Sequence, residues 1–458
     1  MPKVQKTKEK KVLKKVVEKP VAQKKVVKKV VPQKAYQPIR GTHDILPKDE
    51  MIWKKMYHTA EDITGAYGFG RLETPILEEA ALFVRSIGKG TDVVEKEMYV
   101  FETSEGKVAL RPESTASSVR AYITNGMHVY PQPVKLWYWG PMFRHDRPQA
   151  GRYRQFYQFG CENFGEKDAI CDAEIITVAY NFFRDLGIKV RVDVNSIGTL
   201  EERQQYIVEL VGYLRSKRSY LSEESKKRIT KNPLRVLDSK EECDQEVIEE
   251  APQIIDWLSE TSKSYFMKML EYLDEMQIPY VLNSRLVRGL DYYSDTVFEF
   301  FIDDEKHEFA NLALGGGGRY DTLVEQLGGP ATPACGFGVG LDRVAQVLRA
   351  EARKHEADFV DNTKTLFFAH LGDQACRVML RVIEDLRREG IVVKHNLAKK
   401  ALKAQLELAN KYKASHTFIL GQKEVQDKTI IIRDMEAGTQ ETIDQKAILK
   451  EVKKLLGV

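Results

Sequence analysis

Two stretches of glycine constrain this chain more than any other feature of it. One is Ala313-Leu314-Gly315-Gly316-Gly317-Gly318-Arg319-Tyr320-Asp321; the other is Cys335-Gly336-Phe337-Gly338-Val339-Gly340-Leu341-Asp342-Arg343. Glycine in a strand loses much backbone entropy and packs no side chain, so a run of it needs a reason. The first stretch reads as a strand over 311–314 ending in four glycines, which allow a ligand close to the backbone or mark a sharp bulge. The second reads as a strand with glycine at every other position, running into a helix that carries Arg343. Alternation puts those glycines on one face, where they serve helix packing or form the floor under a planar base.

The rest of the chain is large enough to surround such a sheet. Its 458 residues allow two or three domains, and 43% apolar with 30% charged residues is a soluble, globular balance. No apolar run approaches the roughly 18 residues of a membrane-spanning helix. Five scattered cysteines without a C-x-x-C pair exclude a disulfide scaffold and a zinc ribbon, and suit a reducing cytoplasm. The net charge of +4 is uneven. Residues 1–34 hold 13 of the 71 Lys+Arg against Glu9 and Glu18, giving 13 − 2 = +11 and leaving 58 − 65 = −7 for the remainder. That arm repeats Lys-Lys-Val-Val and is broken by Pro20 and Pro32, so residues 1–36 read as disordered. A polyanion-binding arm, most naturally for RNA, and a merely solvated tail stand level here.

From 37 to about 195 the pattern is mixed. Ile52, Met56, Ala60 and Ile63 mark an apolar helix face, followed by a strand ending at Pro75 and strands over 134–139 and 153–159. Residues 197–277 are helical and strongly charged, and read as an insertion. Strands return over 281–301, and a helix closes this part near 350. Beyond a polar linker at 351–364, strands are expected at 365–370, 391–394, 416–420 and 429–433, with helices at 374–389 and 400–412. That is a separate small α/β domain over 365–458.

No P-loop, no dinucleotide fingerprint and no H-E-x-x-H is present, so any phosphate chemistry must fall to arginines. The densest cluster runs from Phe143 through Arg144, Arg147, Gln149, Arg152 and Arg154 to Phe156. Strand parity places Gln158 and Glu162 on one face with Gly160 between them, which leaves room for a ligand. A carboxylate and an amide beside arginines suit a zwitterion next to a phosphate. In Arg111-Pro112-Glu113-Ser114-Thr115, Ser or Thr reads as a helix cap. Arg288-Gly289-Leu290-Asp291-Tyr292-Tyr293 sets a cation and two phenols before a strand.

Together these segments resemble the class II aminoacyl-tRNA synthetases, and within them the histidyl-tRNA synthetase family, over 37–458. The three class motifs are similar to the segment ending Leu72-Glu73-Thr74-Pro75, to 143–162 and to 336–343. The 288–293 and 314–321 segments resemble the two histidine signatures. The resemblance implies an α+β fold: an antiparallel-sheet catalytic core over 37–350 with a helical insertion, then a C-terminal anticodon-binding domain. It implies a cytoplasmic homodimer that activates histidine with ATP and transfers it to its tRNA, with Mg²⁺ held mainly by the ATP phosphates and no protein-bound metal. By matching position, Glu113, Thr115 and Gln158 would hold the ammonium group, and Glu162 and Tyr293 the imidazole. Arg144 and Arg288 would grip the α-phosphate, Arg288 standing as a fixed cation. Arg343 and Arg152 would contact ATP, and Arg147 and Gln149 the tRNA acceptor end.

Ser114 stands where the family commonly has Gly, and Asp342 where Glu is usual; neither change removes a catalytic group. A second reading is a non-catalytic paralogue that regulates ATP phosphoribosyltransferase. Such regulators resemble the core without the anticodon domain and often lose signature residues, whereas this chain keeps both. A third is an RNA-binding module without aminoacylation, favoured only by the basic arm.

Overall fold

The computed structural model describes residues 36–104, 106–146, 151–310, 312–354 and 364–457. The Lys-rich arm up to residue 35, together with Arg147 and Gln149, lies outside them. The larger part is built on an eight-stranded sheet. In spatial order its strands are Gly70–Arg71, Val134–Phe143, Gln155–Phe164, Ala334–Gly340, Gly315–Arg319, Ser294–Ile302, Val190–Ser196 and Tyr280–Leu282. All neighbours are antiparallel except the pair at each edge.

The two glycine segments are the central pair of that sheet. No strand forms over 312–314; the glycines themselves are the strand, Gly315–Arg319. They pair with Phe300 to Ser294 on one side and Val339 to Cys335 on the other. A full ladder on both edges offsets what glycine lacks in strand propensity. The strand expected to reach Pro75 is likewise shorter, Gly70–Arg71, because Leu72 makes the last ladder bond, to Trp137 O at 2.8 Å. Proline beyond it has no N–H to donate.

One sheet face carries the core. Phe159, Phe337, Val339, Phe298 and Phe300 pack on the helix Ala169–Asp185, which presents Ile175, Ile176, Phe182 and Phe183. Phe159 lies 4.9 Å from Phe182 and 5.4 Å from Phe337, ring pairs worth about 0.5–1.5 kcal/mol each beyond their area. Helix Glu50–Ala66 joins this core through Ile52, Met56, Ala60 and Ile63, as its spacing foretold.

The charged region after residue 197 is helical: Leu200–Ser216, Glu223–Lys231, Glu242–Glu249 and Glu260–Glu275. Thr199 and Glu202 close a capping box on the first, with bonds of 3.3 and 2.8 Å. Its apolar faces are continuous with the rest. Tyr206, Leu210 and Leu214 share one cluster with Tyr292, Tyr293 and Tyr320, while Phe266, Met269 and Leu273 pack into the core under the large sheet.

The C-terminal part has its own five-stranded sheet, ordered Lys394–His395, Leu366–His370, His416–Leu420, Thr429–Asp434, Gln440–Asp444. The strand expected at 391–394 is confined to Lys394–His395. The strand Gln440–Asp444 and helix Ile448–Leu456 went unread in the sequence, the strand because four of its five residues are exposed and it carries little apolar pattern.

Candidate active site

The bare face of the central strands is where the predicted side chains gather. A methyl at Gly336 would lie 2.8 Å from Glu162 Cδ, one at Gly318 2.9 Å from Tyr293 Cδ1, and one at Gly316 2.7 Å from Arg288 Nη1. At Gly338 and Gly340 it would touch Gln158 Nε2 and Arg343 Cδ, both at 3.5 Å. The glycines at 316, 318 and 336 therefore seat side chains of the site itself, which corrects the reading of this face as a surface for helix packing. Gly160 is corrected too. The space beside it is filled by the end of the Tyr138 ring, so Gln158 and Glu162 are not separated by an open slot.

At one end of this face, acids are buried. Glu113 is 4% exposed, and its carboxylate accepts Thr115 N–H at 2.6 Å and Ala116 N–H at 2.9 Å. Glu113 is thus the group that caps helix Thr115–Thr124; the expected Ser or Thr cap is absent, and neither hydroxyl caps it. Thr115 Oγ1 instead donates to Glu162 Oε1 at 2.7 Å, and the Tyr320 hydroxyl donates to Glu162 Oε2. Burial pushes the Glu162 carboxyl up to about 8, against the pull of those two hydroxyls. Burial also raises Glu113, though its two backbone bonds oppose the shift. Tyr293 is 5% exposed and likewise raised by burial, so it is a neutral phenol at physiological pH. Its carbonyl is held by Arg203 Nη1 of the helical region. Gln158 Oε1 is buried without a protein partner.

The other end is cationic and open. Arg144, Arg152, Arg288 and Arg343 line a cleft of ≈ 2440 Å³ shared with Gln158 and Glu299. Arg144 Nε donates to Pro112 O at 2.8 Å, and its guanidinium lies 5.6 Å from the Phe156 ring centroid. Arg152 pairs with Asp146 at 3.1 Å. Arg343 Nε donates to Gly151 O at 2.9 Å and Nη1 to Ala313 O. Burial, then Arg152 and Arg144, lower Arg343 to about 10. Arg343 thus lies among like charges, an arrangement that favours an anion beside it. Arg288 Nη1 is paired with Glu299.

Tyr320 and Glu299 are the site residues that sequence reasoning missed. Tyr320 was legible in outline, since it directly follows the glycine run at 315–318 and Arg319. Glu299 sits in the strand Ser294–Ile302 among Phe298, Phe300 and Phe301, with nothing in the sequence to set it apart.

This arrangement can hold a small polar molecule by buried acids and phenols while arginines take a phosphate next to it. Residues 41–344 match the family model described as histidyl-tRNA synthetase, and 366–455 match that of an anticodon binding domain. The chain belongs to the histidyl-tRNA synthetase family. Its relatives in that family span nearly its whole length. The histidine–tRNA ligase of Dehalococcoides mccartyi is 44% identical over 421 residues, 92% of this chain and 99% of the relative. That of Aquifex aeolicus is 44% identical over 409 residues, 89% and 98% of the two chains. The crystal structure of apo S. aureus histidyl-tRNA synthetase superimposes with a TM-score of 0.74 at 32% identity, covering 92% of this chain and all of that one.

Proposed function

We propose that the chain performs the histidyl-tRNA synthetase reaction with the residues described above. It is a histidine–tRNA ligase: histidine and ATP give histidyl-adenylate and pyrophosphate, and histidine then passes to the 3′ end of its tRNA. The observation that carries the division of roles is the polarity of the site, with buried carboxyls and phenols at one end and arginines at the other.

Glu162 and Tyr293 bond the two imidazole nitrogens, with Thr115 and Tyr320 fixing the Glu162 carboxyl. Glu113, Thr115 and Gln158 receive the ammonium group, which gives the unpartnered Gln158 oxygen its partner. Any other side chain leaves the imidazole partners Glu162 and Tyr293 unpaired, enough for discrimination of roughly 10⁴. The histidine carboxylate attacks the α-phosphorus and the bond to pyrophosphate breaks. Arg144 and Arg288 hold the negative charge that develops there, and Arg343 and Arg152 hold the nucleotide. Among the described residues no group of three or more His, Cys, Asp or Glu offers a metal site. In this reading Mg²⁺ would be held mainly by the ATP phosphates.

Arg147 and Gln149 keep their reading as tRNA contacts on the resemblance alone, and the C-terminal part takes the anticodon arm. Exposed Ile76, Leu77, Val100 and Phe101, on or beside the three-stranded sheet of Leu77–Glu79, Gly106–Leu110 and Val100–Thr103, support a homodimer. No helix among the described residues is long and apolar enough to cross a membrane, which accords with a cytoplasmic enzyme. The regulatory paralogue has no better support. A Bacillus halodurans structure described as an ATP phosphoribosyltransferase regulatory subunit/histidyl-tRNA synthetase shares 20% identity, and shows the fold alone.

The test is exchange of labelled pyrophosphate into ATP with each amino acid in turn. Exchange with histidine alone is expected. Folded protein that exchanges with no amino acid would overturn the reading.

A further inference from the structure

We propose that Glu299 is a positioning residue for adenylate formation, holding the Arg288 guanidinium by its Nη1 end so that its Nε edge faces the reacting phosphate. The proposal rests on the reading of Arg288 given above.

Three independent observations converge on the pair. Arg288 Nη1 is bonded to Glu299 Oε1, and both residues line the cleft with only 18% and 21% of their side chains exposed. Arg288 Nε, on the neighbouring edge of the same planar group, is buried and has no protein partner. A guanidinium presents its donors in a rigid fork, so fixing one nitrogen orients the others. The third observation is the backbone made for the pair. Gly316 is the ladder partner of Glu299, and a methyl there would meet Arg288 Nη1 at 2.7 Å and Glu299 Cγ at 3.0 Å. One glycine of the central run is thus explained by this ion pair.

Electrostatics agree. Burial works most strongly against the charge of Arg288, but Glu299 together with Tyr293 and Tyr292 outweighs it and raises the group. Burial raises Glu299 in turn, with Arg288 opposing and Asp238 adding to the shift. An arginine swinging free in the cleft would have to be ordered again at each turnover. Anchored, it meets the developing charge without reorganisation.

The experiment uses two substitutions that split reach from charge, measured by histidine-dependent pyrophosphate exchange on the full-length enzyme. Glu299→Gln keeps an acceptor oxygen at the same reach, and is expected to retain kcat within about fivefold. Glu299→Asp keeps the charge but withdraws the oxygen by one methylene, and is expected to lose on the order of 30-fold in kcat with the histidine KM within twofold. The reverse order, Asp active and Gln inactive, overturns the proposal in favour of a simple counter-charge. So does a Glu299→Asp enzyme within twofold of wild type.

A mutant cycle with Arg288→Ala separates the two readings. Arg288→Ala alone should lower adenylate formation by at least about 10³-fold; near-normal turnover sinks the role of Arg288 itself. In that background Glu299→Asp should cost nothing more. A further loss of the same size would show that Glu299 acts elsewhere, with the role of Arg288 left standing.

Discussion

The two sheets of this protein use their strands for opposite purposes. The five strands of the C-terminal sheet contain no glycine, and Leu366–His370 is buried at every position. Phe368 and Phe418 stack with their ring planes 1° apart and centroids 4.6 Å apart. Among the described residues, His370 Nδ1 is the one buried polar side-chain atom of that part without a protein partner. In the large sheet the central pair is mostly glycine, and several buried polar atoms nearby, in Gln158, Arg288, Ser294 and Thr296, are unpartnered. One sheet is filled by its own residues. The other is left bare on one face so that charged side chains can lie against its backbone, and part of its hydrogen-bonding capacity is held back for something else.

Substitutions can break that contrast. The largest effect is expected from Gly336→Ala, whose methyl would overlap the Glu162 carboxyl. Histidine-dependent exchange should fall by about 10³-fold while circular dichroism stays native-like; an active Gly336→Ala enzyme would show that the seat is not needed. The opposite signature belongs to Phe418→Ala. Losing a fully buried stacked ring should cost about 3–5 kcal/mol in urea unfolding of the C-terminal part and leave exchange at its original rate.

Glu162→Gln gives a smaller effect with a distinctive pH dependence. The carboxyl is raised to about 8 in the fold from 4.5, so the folded protein holds a proton that the unfolded chain releases. Wild-type stability therefore drains as pH climbs from about 4.5 to 8 and is level above that. The melting advantage of Glu162→Gln over wild type should grow across the same window, reaching on the order of several °C, and a pH-independent difference would contradict the burial of that charge. The smallest effect is expected from deleting residues 1–34. Histidine activation should be unchanged, and tRNA charging at low salt should weaken a few-fold and lose part of its salt dependence. Equal tRNA affinity with and without the arm returns it to a solvated tail.

How much of this was legible in the sequence follows the same division. The core helix at 50–66 and most of the C-terminal elements follow from apolar periodicity, because packing writes its pattern at spacings of 3.6 and 2. The arginines and acids of the site were visible as unusual residues in dense clusters, and the structure places Glu113, Thr115, Glu162, Arg144 and Arg343 on or beside one bare sheet face. Their pairings were not visible. Glu113 caps a helix with backbone bonds, Thr115 reaches across 47 residues to Glu162, and Glu299 reaches 11 back to Arg288. Long-range contacts of that kind depend on strand register, which a list of residues does not state. The glycines were read as making room, which was right in kind; the occupant was the protein itself.

The crowding of Arg144, Arg152 and Arg343 has a consequence for the protein at rest. Like charges held together weaken the folded state, and any polyanion that settles among them relieves that repulsion. Phosphate, pyrophosphate and ATP should each raise the melting temperature in a buffer where chloride at equal ionic strength does little. On that outcome the folded enzyme would be most durable when nucleotide is plentiful, and its lifetime and its turnover would draw on the same pool.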